Sequence, residues 1–314
     1  MEINANSLGG DTLDVTGTSG NDAIHFNATD ANSGTITRSG TDTTISYAGL
    51  DATAALTVQG GTAGFDILHV LGTEGDDTIT MPTASSVTRD GTVTIGAGID
   101  RLDITGAGGD DTVTLGALTI TAQVDGGAGA DNVNAAAVAA VGVTISGGTG
   151  NDVLIGGDQD DLISGDAGDD IITGNAGNDQ IAGGSGNDVI EGGTGNDQID
   201  GGNDSDAFAY TVGDGVDVVD GGDGDDTLAL AGDAANNTLA INALGPAAQI
   251  TLDAASSLHT NLEVVEALVG DGDDSITVAD LTDTPVRLVH LGLSNTGGDV
   301  DLVTLEGTEG SDDV

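Results

Sequence analysis

The chain has 314 residues, of which 53 are acidic and only four basic, all arginine, and its net charge is −49. That balance excludes nucleic acid as a partner, because phosphate contacts need lysine and arginine, and it makes a compact state without counter-cations repel itself. There is no cysteine and no tryptophan, and aromatic residues make up 2%, which excludes disulfide staples and suits thin aliphatic ladders better than a thick globular core.

From 1 to 146, short alternating segments at 44–47, 55–59 and 92–95 read as strands, since Thr, Val and Ile alternate with polar residues at period two. Between them stand glycine-aspartate loops: GTSGNDAI, GTEGDDTI, GAGGDDTV and GGAGADNV, with aspartates Asp22, Asp77, Asp111 and Asp131. Ala135–Val141 (AAAVAAV) is the one candidate for a short helical turn.

From 147 to 209 the loops run together. GGTGNDVLI, GGDQDDLIS, GDAGDDIIT, GNAGNDQIA, GGSGNDVIE, GGTGNDQID and GGNDSDAFA follow without a break. The sixth place is always aspartate: Asp152, Asp161, Asp170, Asp179, Asp188, Asp197 and Asp206. The eighth is always large and apolar: Leu154, Ile163, Ile172, Ile181, Ile190, Ile199 and Phe208. Six residues of sharp turn need glycine, which reaches positive φ without strain, and three residues of strand point their middle side chain inward. Gln159 and Asp204 replace the fourth-place glycine, so weaker loops are expected there. From 210 to 314 the sparse style returns, with strands at 227–230 and 288–291 and loop aspartates Asp226, Asp274 and Asp312.

The run resembles the RTX, or haemolysin-type, calcium-binding repeats of secreted bacterial proteins, whose nonapeptide is GGxGxDxUx. The resemblance implies an all-β, right-handed parallel β-roll or β-helix solenoid, regular at 147–209 and irregular at 1–146 and 210–314, in one continuous body. It implies calcium held between loops on neighbouring coils, about five shared ions in the regular run. The ligands it implies are Asp152, Asp161, Asp170, Asp179, Asp188, Asp197, Asp206, Asp131 and Asp226, with the first-place glycines Gly147, Gly156, Gly165, Gly174, Gly183 and Gly192. Calcium is a hard cation that takes six to eight oxygens, so carboxylates beside carbonyls suit it. The family further implies export, commonly by a type I route, to an extracellular or cell-surface place rich in calcium.

Catalytic signatures are missing. There is no HExxH and no GxSxG, and the histidines His25, His69, His259 and His290 are scattered without metal-ligand spacing. Arg101, in IDRLDITG, reads as a solvent-facing strand residue. No apolar run is long enough to span a bilayer, and the first residues lack the basic and apolar regions of a signal peptide. The expectation is a structural, calcium-dependent module of a surface, adhesin or matrix protein, not an enzyme; a polysaccharide-acting β-helix enzyme is the weakest reading. GGDTLDVTGTSGNDAI near the start parallels GGDVDLVTLEGTEGSDDV at the end. That likeness is either the simple recurrence of one element or the mark of one period of a tandem array, or of a subunit that associates head to tail into a filament or surface layer.

Overall fold

The computed structural model describes residues 67–72, 74–80, 99–233, 235–244, 247–253, 255–293 and 301–305. It also gives, as backbone strands alone, 2–4, 12–16, 23–30, 33–38, 43–48, 55–59, 81–83, 86–88 and 92–95. The fold is all-β, a parallel β-solenoid with no helix among the described residues. It divides into two compact units, Met1–Leu162 and Ile163–Val314.

In the first unit, successive strands alternate between two stacks. One stack holds Ile67–Leu71, Arg101–Gly108, Thr121–Ala128 and Val143–Thr149, all parallel and in register. The other holds Thr78–Thr83, Thr112–Leu115, Asn132–Asn134 and Val153–Ile155. Parallel pairing puts like on like, so inward side chains form ladders such as Val70, Ile104, Val124 and Ile145, each no more than 1% exposed.

The second unit repeats the plan. Ile172, Ile190, Phe208, Leu228 and Val265 make one inner ladder. Ile181, Ile199, Val219 and His259 make the facing one. Burying each aliphatic side chain contributes roughly 1.5–3 kcal/mol, so the core is a sum of small coil-by-coil terms.

The irregular flanks have a specific form. Three times among the described residues, the parallel stack is interrupted by a three-stranded antiparallel meander. In the first unit these are Ala23–Asp30, Ser33–Arg38 and Thr43–Ala48, and Thr78–Thr83, Ser86–Thr88 and Thr92–Ile95. In the second unit the meander is Thr238–Leu244, Ala247–Leu252 and Ala255–Thr260. Its last strand pairs parallel with Val218–Asp223 and its first with Ser275–Val278, so the coil resumes on either side. The strands expected at 44–47, 55–59, 92–95, 227–230 and 288–291 are all present.

The helical turn expected at Ala135–Val141 is absent. The segment makes one tight turn, with the Val138 N–H donating to the Ala135 carbonyl at 2.8 Å. Ala135 and Val138 are both fully buried and plug the coil interior in place of a strand. Burial of these two small side chains prevails over the helix propensity of alanine.

Candidate metal-binding loops

Because the strands stack in register, the turns that precede them stack as well, and the sixth-place aspartates fall into columns. In the first unit, Asp77 donates its main-chain N–H to Oδ1 of Asp111, Asp111 to Asp131, and Asp131 to Asp152, each at 2.7 Å. In the second unit one column runs through Asp170, Asp188, Asp206 and Asp226, at 2.8, 2.9 and 2.8 Å. A second runs through Asp179, Asp197 and Asp217, both links 2.9 Å. Each aspartate thus reaches toward the preceding coil of its column and satisfies a turn N–H that has no strand partner.

The fifth place answers in the opposite sense. Oδ1 of Asp169 accepts from the Asn187 N–H at 2.8 Å, that of Asn178 from Asn196 at 3.0 Å, and that of Asn187 from Ser205 at 3.1 Å. In the first unit Asp110 accepts from Ala130 at 2.9 Å. Two stacked loops are therefore clamped reciprocally. The sequence reading missed this pair; the signal was Asn or Asp at six of the seven fifth places of the run.

The first-place glycines explain themselves by contact. A Cβ on Gly165 would lie 2.3 Å from Oδ2 of Asp170 and 2.6 Å from the Gly183 carbonyl. On Gly174 it would lie 2.4 Å from both Asp179 Oδ2 and the Gly192 carbonyl, and on Gly183 2.3 Å from Asp188 Oδ2 and 2.6 Å from the Gly201 carbonyl. Gly192 meets Asp197 Oδ2 at 2.4 Å, and the Gly147 carbonyl stands 2.6 Å from a Cβ on Gly126. Gly156 is buried in its loop like the others. Carboxylate and carbonyl oxygens thus converge beside the α-carbons of Gly126, Gly165, Gly174 and Gly183, and no side chain fits there.

The second oxygens, Oδ2 of Asp111, Asp131, Asp188, Asp206, Asp226 and Asp274, are buried with no hydrogen-bond donor. Burial pushes the carboxyl of Asp206 up to about 7 and those of Asp111 and Asp217 up to about 6; main-chain N–H donation pulls the other way, and neighbouring aspartates add to the rise. Asp131, Asp161, Asp188 and Asp226 are raised for the same leading reason. A buried anion without a donor is costly, and a cation supplies the missing partner. The donor set is oxygen only, which fits calcium and gives nothing to a soft metal. Among the described residues no three His, Cys, Asp or Glu side chains gather at one point, so a cation here takes much of its shell from loop carbonyls.

The structure separates the expected ligands. Asp161 uses both oxygens on the chain itself, Oδ1 toward the Val143 N–H at 2.8 Å and Oδ2 toward Gly157 at 2.6 Å. Asp204 adopts the expected positive φ of 74°. Gln159 does not: its loop takes another path, with the Asp158 N–H on the Val138 carbonyl at 2.9 Å, so the strain expected there is absent. Asp22 and Asp312 lie outside the described residues. Three members of the stacks carry no complete motif in the sequence. Asp217 follows GDGV with Val212 in the first place. Asn237 stands in GDAANNTL, its N–H donating to Asp274 at 2.7 Å. Glu263 accepts from the Asp226 N–H at 2.8 Å.

Of the histidines, His69, His259 and His290 do not join the columns, and the His25 side chain lies outside the described residues. His69 lies 3.5 Å from Asp103 and His290 3.4 Å from Glu266, while His259 is buried at 1% exposure. Arg101 faces outward and makes a two-pronged pair with Asp103 at 2.6 and 2.7 Å.

Stacked glycine-aspartate loops on a parallel coil define the class: a calcium-binding β-solenoid. A family model, RTX calcium-binding nonapeptide repeat (4 copies), matches residues 144–172, 173–208 and 211–239. The chain carries RTX repeats, and the third match takes in Asp217, Asp226 and Asn237. No curated protein matches the chain significantly.

Proposed function

We propose that this chain is a secreted structural module that becomes rigid where calcium is abundant, as part of a cell-surface, adhesin or matrix protein. The observation that carries the reading is the column of buried aspartates in which Asp188, Asp206 and Asp226 each hold one oxygen on a main-chain N–H and bury the other without a donor. Sixth-place aspartates would hold the ion together with carbonyls of the first-place glycines. Calcium, when bound, supplies the positive charge and oxygen ligation that this acidic stack lacks.

The chain's own residues do the rest. Fifth- and sixth-place side chains fix the loop register, the glycines allow the close stack, and the aliphatic ladders hold the strands. Without ions the excess of negative charge favours an extended chain. Binding to the folded state alone converts ion affinity into stability. A chain extended at low calcium is suited to passage through a narrow exporter, in keeping with a type I route. No helix among the described residues is long and apolar enough to cross a membrane.

A second reading is a self-associating filament or surface-layer subunit. It draws on the similar sequences around Gly17 and Gly307 and on the last described strand, where Leu302 and Leu305 are 62% and 55% exposed. Size-exclusion chromatography with light scattering, with and without millimolar calcium, tests both. A compact monomer in calcium supports the module, and high-mass species reversed by chelator support the subunit. A chain whose size ignores calcium contradicts both.

A further inference from the structure

The column Asp170, Asp188, Asp206, Asp226 changes character in the last coils among the described residues. The sixth place is the residue immediately before a strand. In the next two coils that place is filled by Glu263, before Val264–Leu268, and by Arg287, before Leu288–Gly292. The register carries the stack upward, Thr227 beside Val264 and Val264 beside Leu288. Glu263, one methylene longer than aspartate, still reaches the Asp226 N–H at 2.8 Å. Its connection, 261–263, has no glycine turn and therefore no cradle of the regular kind.

Arg287 donates its main-chain N–H to the Glu263 carbonyl at 2.9 Å and returns its guanidinium to Asp225, the fifth-place residue two coils back. Asp226 is 0% exposed, and its Oδ2 is buried without a donor. Asp225, Glu263 and Asp220 all act on it electrostatically. In a chain with no lysine and four arginines, one arginine thus stands in the last sixth place of this column among the described residues.

We infer that Arg287 is a built-in cation of the column, neutralising the carboxylates around Asp226 in place of one more divalent ion. The inference rests on the calcium reading above. A guanidinium keeps its charge at every relevant pH, so this end of the column stays neutralised when calcium is withdrawn. The side chains of Arg287 and Asp225 are 57% and 71% exposed, so the pair itself adds little stability. Its effect falls on the affinity of the neighbouring carboxylates for a second cation.

The test is the number of calcium ions bound at saturation, by equilibrium dialysis, for the whole chain and for Arg287→Gln and Arg101→Gln. Arg101 pairs with Asp103 within one strand and belongs to no column. Arg287→Gln is expected to bind one ion more than the unmodified chain, and Arg101→Gln the same number. Equal counts for the unmodified chain and Arg287→Gln overturn the inference while leaving the calcium reading standing. A rise in both variants also overturns it, because net charge alone would then be the cause. No uptake by any of the three overturns the calcium reading and the inference together.

Discussion

The main-chain N–H of Asp188 donates to Oδ1 of Asp206 at 2.9 Å, while Oδ2 of Asp206 is buried without a donor. One carboxylate thereby spends one oxygen on the neighbouring coil and keeps the other for the cation proposed above. Asp206→Asn keeps a carbonyl oxygen for the first task and loses the charge needed for the second. The substitution is expected to cost about 1–3 kcal/mol in calcium and to be neutral or mildly stabilising in chelator, where a buried charge has been removed. Thermal melts in both conditions check this.

Asp161 provides the contrast. Both of its oxygens already accept from Val143 and Gly157. Asp161→Asn is expected to destabilise by about 1 kcal/mol equally with and without calcium. A loss confined to calcium would show Asp161 to be a calcium ligand.

Gly183 shows how tight the cradle is. An alanine there places Cβ 2.3 Å from Asp188 Oδ2 and 2.6 Å from the Gly201 carbonyl. Gly183→Ala is expected to cost about 1–3 kcal/mol and to weaken calcium binding. Gly213, at φ +101°, meets nothing within 4 Å, so Gly213→Ala carries only backbone strain of about 1–2 kcal/mol and leaves calcium affinity unchanged. Paired melts and calcium titrations separate the two causes.

Much of this was legible in the sequence, because the repeat sets residue type by place. Leu154, Ile172, Ile190 and Phe208 point inward since strand alternation allows nothing else once the aspartate two residues earlier is fixed in its turn. The meanders were not legible. Thr238–Leu244 and Ala255–Thr260 look like ordinary alternating strands, and whether they pair parallel or antiparallel depends on contacts distant in sequence. Asp217 and Asn237 were hidden because Val212 replaces the first-place glycine of one loop and asparagine replaces aspartate in the other. What qualifies them is their place beneath Ser257 and Asp274, which only stacking reveals.

The pH response of the ion-free chain follows from the raised carboxyls. Asp206, at about 7, and Asp111 and Asp217, at about 6, hold their protons in the fold, whereas an unfolded chain releases them near 3.8. Between those limits the folded chain binds more protons, so stability is greatest below the unfolded value and falls as pH rises through the window. His259 works the other way: burial lowers it from 6.5 to about 4, so it costs stability as pH falls through that range. Several carboxyls outweigh one imidazole. In chelator the melting temperature at about pH 5 is therefore expected to exceed that at about pH 7.5. The opposite order would show that these aspartates are ionised and satisfied without a cation.

The central claim is that the stacked loops need calcium to stand. Far-UV circular dichroism of the whole chain at neutral pH, in millimolar calcium and then in excess chelator, tests it most directly. The expected result is a β spectrum that loses amplitude and thermal stability on chelation and regains both with added calcium. A β spectrum unchanged by chelator would contradict it.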